Sequence, residues 1–106
     1  SVMFVKYEDM KKDLAQVVTD VASFIDIPLT SDLLDTVVAA SDFSAMAINP
    51  KANLDWVPQR EGTPKHMRKG IVGDWKNHFS SEETSSFDAL YQSRMVEFGL
   101  KFDFES

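Results

Sequence analysis

The chain opens on a short, unbroken run of hydrophobic residues. Residues 2–5 (VMFV) include two β-branched valines, and the polar segment KYED follows at once. A continuous apolar run of this kind predicts a strand buried on both faces, as in a parallel sheet. No later segment has the pattern of a central strand, so we expect the rest of such a sheet to lie outside these 106 residues.

Two helices are predicted after this strand. Asp13 followed by Gln16 is typical of a helix N-terminus, and Pro28 ends the helix that follows. Thr30 or Ser31 begins the next helix. The apolar residues on the inward faces of the two helices are Leu14, Val17, Val18, Val21, Ile25, Leu33, Leu34, Val37 and Val38.

A proline-rich segment separates these helices from a third one. Residues 49–64 contain three of the four prolines, which predicts a long loop. Ser80 and Glu83 have the spacing of a capping box ahead of the last helix. The apolar face of that helix comprises Phe87, Leu90, Tyr91, Met95 and Phe98, and the tail alternates Leu100, Phe102 and Phe104. The tail is therefore expected to lie extended against an apolar surface.

Composition and charge narrow the class of protein. The chain is 43% hydrophobic and 26% charged, as in a globular domain. It has no cysteine, which excludes disulfides and Cys-ligated metal and favours a reducing compartment such as the cytoplasm. No apolar run approaches the ~20 residues needed to cross a bilayer. The net charge of −6 argues against a nucleic-acid partner.

Residues 65–79 nevertheless form a basic segment, with four cations against Asp74. Arginine offers a planar fork that matches phosphate oxygens, and lysine adds a mobile charge. Gly70 has no Cβ, so backbone N–H groups beside it can approach an anion closely. Arg68, Lys69 and Gly70 thus have the chemistry of a phosphate clamp. An ordinary solvated turn explains the same spacing.

The segment RKGIVGDWKNHF (residues 68–79) resembles the C-terminal signature of cytosolic sulfotransferases, R-K-G-x-x-G-D-W-K-x-x-F, at every fixed position. The segments YEDM (7–10), SDFSAM (41–46) and NPKAN (49–53) are similar to three further motifs of that family, in the same order. The resemblance implies an α/β fold. Residues 1–106 would be the C-terminal portion of a single P-loop-like domain with a parallel sheet, mostly helical and with one strand near the start.

The resemblance also implies a cofactor, 3′-phosphoadenosine 5′-phosphosulfate (PAPS), with adenosine 3′,5′-bisphosphate (PAP) as its product form. The residues that it places at the cofactor are Arg68, Lys69, Gly70, Tyr7, Ser41, Phe43 and Met67. The first three would hold the 3′-phosphate, while Tyr7 and Phe43 would contact the adenine and Ser41 would stand for the family's threonine. From the residues alone, core packing explains the two aromatic side chains equally well.

Other residues of the signature are expected to be structural. Trp75, Ile71 and Val72 would anchor the turn, and Asp74 would fix it by accepting backbone N–H groups. Asp42 stands where the family usually has serine. The family's dimer motif retains only its lysine, Lys76, so the sequence does not support that dimer.

The family's reaction transfers a sulfuryl group from PAPS to a hydroxyl or amine of a small acceptor. The histidine and the phosphate-loop lysine that catalyse it have no counterpart in this chain, so no catalytic residue is predicted and the chain alone is expected to be inactive. The loop from Leu54 to Lys65 would cover the acceptor pocket. The predicted partners are therefore the acceptor and the N-terminal remainder of the same domain, without a membrane or nucleic acid.

Three interpretations follow from the sequence. The chain is part of a sulfotransferase, or a non-catalytic nucleotide-binding module that keeps the clamp, or a small helical interaction domain with an accidental motif. The unpaired strand at residues 2–5 also predicts that the chain, expressed on its own, is marginally stable or self-associating.

Overall fold

The computed structural model describes residues 1–58, 60–99 and 101–104. Regular structure in these ranges is entirely helical. The α-helices are α1 (Tyr7–Lys12), α2 (Leu14–Phe24), α3 (Ser31–Ser41), α4 (Phe43–Ile48) and α5 (Ser81–Arg94), and 3₁₀ turns cover Asp74–Asn77 and Val96–Phe98. Among these residues no helix is both long enough and apolar enough to cross a membrane.

The predicted helix starts are confirmed by their caps. The Asp13 carboxylate accepts a hydrogen bond from the Gln16 backbone N–H at 2.9 Å at the start of α2. Thr30 accepts from the Leu33 N–H at 3.3 Å at the start of α3. Each bond satisfies a backbone donor that the first helical turn leaves without a partner.

The predicted strand at residues 2–5 is wrong for this chain. These residues have no regular structure, and the side chains of Val2 and Phe4 are 94% and 72% exposed. A strand exists only where a neighbouring strand pairs with its backbone N–H and C=O groups. The described residues provide no such neighbour, so the hydrophobic run has no regular structure and is largely exposed.

The helices pack in chain order and enclose little core. α1 packs against α2, α2 against α3, and α3 against α4. Ala22 is the only buried hydrophobic residue in the described ranges. The radius of gyration is 17.2 Å, whereas a compact domain of this length has about 13 Å. The apolar stripes predicted from the sequence therefore remain partly open to solvent.

The C-terminal tail packs on α5, as predicted. The Phe104 ring lies 5.3 Å from that of Tyr91 and 6.2 Å from that of Phe87, and the Tyr91 hydroxyl accepts from the Phe102 N–H at 3.2 Å. Leu100 lies outside the described residues. The apolar face of α5 is shorter than predicted, because the helix ends at Arg94 and Phe98 falls in the following 3₁₀ turn.

Candidate functional site

A cavity of about 500 Å³ lies between α1, the junction of α3 with α4, and the basic segment. This volume is within the range of pockets that hold small ligands. All seven residues predicted for the cofactor line this cavity: Tyr7, Ser41, Phe43, Met67, Arg68, Lys69 and Gly70. Segments more than 60 residues apart in the sequence therefore meet at one place.

Two aromatic residues stand at helix starts on one side of the cavity. Tyr7 is the first residue of α1 and Phe43 the first of α4. Asp42 caps α4, since its carboxylate accepts from both the hydroxyl and the backbone N–H of Ser44. Both hydrogen bonds lower the pKa of Asp42, and the bond from the Ser44 hydroxyl has the larger effect. The residue that departs from the family motif thus fixes the helix start that carries Phe43.

Gly70 brings the basic segment directly onto the Phe43 ring. Its φ angle is +66°, in the left-handed region that side chains with a Cβ rarely adopt. A Cβ atom at this position would overlap the ring of Phe43. The cations and the aromatic side of the cavity are therefore joined by a backbone-to-ring contact that only glycine permits.

Asp74 holds both cations of the predicted clamp. Lys69 Nζ lies 2.7 Å from Asp74 Oδ1, and Arg68 Nη1 lies 2.5 Å from Oδ2. Asn77 Nδ2 donates to Oδ1 at 3.1 Å, and His78 Nε2 lies 3.2 Å from Oδ2. Asp74 is 7% exposed. Lys69, followed by Arg68 and Asn77, lowers the pKa of Asp74 well below its usual range.

This network corrects one prediction about the turn. The partners found for the Asp74 carboxylate are side chains, not the backbone N–H groups expected from the sequence. Asp74 is the first residue of the 3₁₀ turn, and Gly73 precedes it with a φ angle of +81°. Which distant side chains meet a carboxylate depends on the fold of the whole segment, so sequence spacing did not identify them.

The cations remain accessible while they are paired. The side chains of Arg68 and Lys69 are 49% and 45% exposed, and both residues line the cavity. Each cation therefore pairs with a buried carboxylate while about half of its side chain stays exposed to solvent.

The turn is tied to the tail by Trp75. Its Nε1–H donates to the Phe104 carbonyl oxygen at 3.0 Å, and its ring lies 6.4 Å from that of Phe79 in an edge-to-face arrangement. Trp75 thus anchors the turn as predicted. Ile71 does not, because it is 63% exposed and lines the cavity.

The loop that follows α4 is fixed at its base by Asn53, which is buried. Its Nδ2 donates to the Ala47 carbonyl at 3.2 Å and to Asp55 at 3.3 Å, and its Oδ1 accepts from the Asp55 N–H at 3.0 Å. Lys65 pairs with Asp55 at 3.2 Å. The NPKAN motif therefore has a structural role that the sequence analysis did not assign.

The chain matches the family model for the sulfotransferase domain over residues 1–99. It is 36% identical over 107 residues to the amine sulfotransferase of Oryctolagus cuniculus, with 96% of this chain and 36% of that relative covered. It is 42% identical over 94 residues to sulfotransferase 2A6 of Mus musculus, with 87% of this chain and 33% of that relative covered. The chain thus spans about a third of the length of these relatives.

Two solved structures have a similar fold. A mouse sulfotransferase, SULT7A1, complexed with PAP superposes with a TM-score of 0.72 and 28% identity, covering 92% of this chain and 37% of that one. A retinol dehydratase in complex with androsterone and inactive cofactor PAP superposes with a TM-score of 0.85 at 22% identity. The match covers 94% of this chain and 30% of that one. The motif is therefore not accidental in a helical interaction domain: the chain belongs to the sulfotransferase family and has the fold of the matching part of its members.

Proposed function

We propose that this chain forms the nucleotide-binding part of a PAPS-dependent sulfotransferase that acts in the cytoplasm on a hydroxyl or amine of a small molecule. The observation that carries the proposal is the shared cavity, where two accessible cations and two aromatic side chains meet across Gly70. An adenine nucleotide with a phosphate on its ribose combines the two chemistries that such a cavity can bind.

Arg68 and Lys69 would bind the 3′-phosphate. Both residues line the cavity, and hydrogen bonds between a cation and a phosphate are about twice as strong as neutral ones. Gly70 lets the backbone approach the same anion, because it has no Cβ. A nucleotide without this phosphate would leave two partly desolvated cations with weaker partners, which favours the bisphosphate over the monophosphate.

Tyr7 and Phe43 would contact the adenine, with Ser41 and Met67 at its edges. Stacking of a base on an aromatic side chain contributes ~1–3 kcal/mol. Asp42 stabilises this part of the site indirectly, because it caps the helix that begins with Phe43. When bound, PAPS supplies the sulfuryl group; this chain's residues bind and orient the nucleotide that carries it.

The relatives support the nucleotide and the acceptor class. Mouse SULT7A1, at 28% identity, was solved with PAP. The rabbit relative is named for amine sulfation, which agrees with an amine or hydroxyl acceptor. We assign no specific acceptor to the loop at residues 54–65, which is fixed to α4 through Asn53.

We further propose that residues 1–106 act as one portion of a single sulfotransferase domain. The relatives are about three times longer, and the apolar stripes of this chain are incompletely covered. An N-terminal portion of the domain, with a parallel sheet and a phosphate loop, would cover them and supply the catalytic histidine and lysine.

Thermal unfolding of the chain with added nucleotide tests this proposal. A ligand at 100 times its dissociation constant adds about 2.7 kcal/mol to the folded state, so PAP should raise the melting temperature by several degrees. Adenosine 5′-monophosphate should raise it less. Lys69→Ala should remove the difference, while Lys51→Ala, an exposed lysine away from the cavity, should keep it. No response to PAP by a folded sample would overturn the proposal.

A further inference from the structure

We propose that Asp74 is a positioning residue that sets the selectivity of the site for a 3′-phosphate, an inference that rests on the proposed function. Its buried carboxylate binds Arg68 Nη1 through one oxygen and Lys69 Nζ through the other. Two adjacent cations are thereby held at a fixed separation at the edge of the cavity.

The first reason is the number of donors. A guanidinium has five N–H donors and an ammonium has three. Arg68 meets Asp74 and His78 through Nη1, and within the described part of the chain no partner is seen at its Nη2 or Nε. Asp74 therefore leaves N–H donors on both cations for a phosphate. The Asp74 carboxylate and the phosphate do not need the same hydrogen atoms.

The second reason is conformational entropy. Arginine and lysine have many rotamers, and a ligand that must immobilise them loses binding free energy. In this structure the immobilisation is already made by Asp74. The phosphate then binds to prearranged donors, so its affinity is higher than it would be at two free side chains.

The third reason is how firmly Asp74 itself is placed. Asn77 and His78, one turn further on, contact its two oxygens at 3.1 and 3.2 Å. Asp74 begins the 3₁₀ turn, and Trp75 beside it is bonded to the tail. The carboxylate is thus supported by the turn and the tail, independently of the cations that it holds.

Isothermal titration of the chain with PAP and with adenosine 5′-monophosphate tests this inference. The wild-type chain should prefer PAP. Asp74→Asn keeps the shape of the side chain but removes its charge, and should lower the preference about tenfold, the effect of losing one charge-assisted hydrogen bond. The affinity for the monophosphate should change little. Asp55→Asn, which breaks an ion pair between two residues that do not line the cavity, should leave the preference intact.

The possible results separate the two proposals. A wild-type chain that does not distinguish the nucleotides overturns the proposed function and this inference with it. A wild-type preference that Asp74→Asn leaves unchanged overturns only this inference, and so does a higher affinity of the variant for PAP, which would make Asp74 a competitor of the phosphate. If Asp74 had a purely structural role, Asp74→Asn would weaken the binding of both nucleotides equally, and that result would also contradict this inference.

A second variant covers the case in which Asp74→Asn does not fold. Asp74→Glu keeps the charge but moves the carboxylate by one methylene group. The positioning account expects a reduced preference for PAP, because both cations are still paired but in a different place. An unchanged preference in this variant would overturn the inference.

Discussion

At the scale of single residues, Gly70 is required at its position for two separate reasons. It adopts φ +66° and lies against the Phe43 ring, so any side chain meets both backbone strain and a steric overlap. The left-handed conformation costs about 1–2 kcal/mol for a residue with a Cβ. Gly70→Ala should therefore lower the melting temperature and weaken PAP binding, as measured by thermal unfolding and titration.

Gly62 provides the matched control. Its φ is +82°, but a Cβ there meets no atom within 4 Å. Gly62→Ala should show the strain alone and leave PAP binding intact. In a Phe43→Ala background, Gly70→Ala should cost no more than Gly62→Ala, because the ring is gone. Equal costs for the two alanine variants in the wild-type background would contradict the backbone-to-ring contact.

Asp74 should make stability depend on pH in the acid range. Its pKa is lowered in the folded state by Lys69 and Arg68, so its contribution is present above the ordinary value near 3.9 and is lost as the pH falls through the lowered one. The gap in melting temperature between wild type and Asp74→Asn should therefore shrink from pH 7 to pH 3.

The control for this experiment is Asp35→Asn, at an exposed position of α3 that does not line the cavity. Its effect on the melting temperature should be small at both pH values. A gap for Asp74→Asn that stays the same at pH 3 would show that the cations do not stabilise the folded state through this carboxylate.

The sequence was informative about which residues line the candidate cavity and much less about how they are held. The family signature led to Arg68, Lys69 and Gly70, and two shorter motifs led to Tyr7 and Phe43, all of which line the same cavity. The partners of Asp74 could not be predicted, because four side chains reach it only once the 3₁₀ turn has formed.

At the scale of elements, α5 depends on its N-terminus. The tail packs on this helix but buries none of its residues, so its stability relies strongly on local interactions. Ser80 and Glu83 form a full capping box. The hydrogen bond from the Ser80 backbone N–H, followed by the one from its hydroxyl, lowers the pKa of Glu83. Ser80→Ala should destabilise the helix by about 1 kcal/mol, seen as lost helical signal in circular dichroism.

Ser86→Ala is the corresponding control within α5. Ser86 is exposed in the middle of the helix, where alanine has the higher helix propensity, so this variant should gain about 0.5 kcal/mol. The two substitutions are chemically identical and should act in opposite directions. A loss of the same size from both would show that the capping box has no special role.

The starts of the three longer helices were predictable from the spacing of their capping residues, whereas the two short helices were not, although Asp42 caps one of them. α2, α3 and α5 begin at predicted caps, since a capping hydrogen bond is a local interaction. α1 and α4 have six residues each and were not predicted. The prediction of a strand at residues 2–5 was wrong because a strand, unlike a helix cap, depends on neighbouring strands that the local sequence does not contain.

At the scale of the whole molecule, the chain exposes more apolar surface than a domain of its size usually does. Val2, Phe4, Trp56 and Phe98 are strongly exposed, and Ala22 alone is buried among the described hydrophobic residues. Exposed apolar patches favour association. The chain on its own should therefore sediment as a concentration-dependent mixture and bind a hydrophobic dye.

The cause of this association is now different from the one expected from the sequence, which was an unpaired strand edge. Side-chain exposure is the better explanation, so Phe4→Ser should reduce both dye binding and association without loss of helix. A single sharp boundary in sedimentation velocity at all concentrations, with a cooperative melt, would contradict it.

The central claim is that Arg68 and Lys69 bind the 3′-phosphate of an adenine nucleotide whose base lies at Tyr7 and Phe43. The most direct test is a nuclear magnetic resonance titration that follows these four side chains in the presence of PAP or adenosine 5′-monophosphate. The aromatic signals should shift with both nucleotides, and the guanidinium and ammonium signals with PAP alone. Cation signals that respond equally to both nucleotides, or aromatic signals that respond to neither, would contradict the claim.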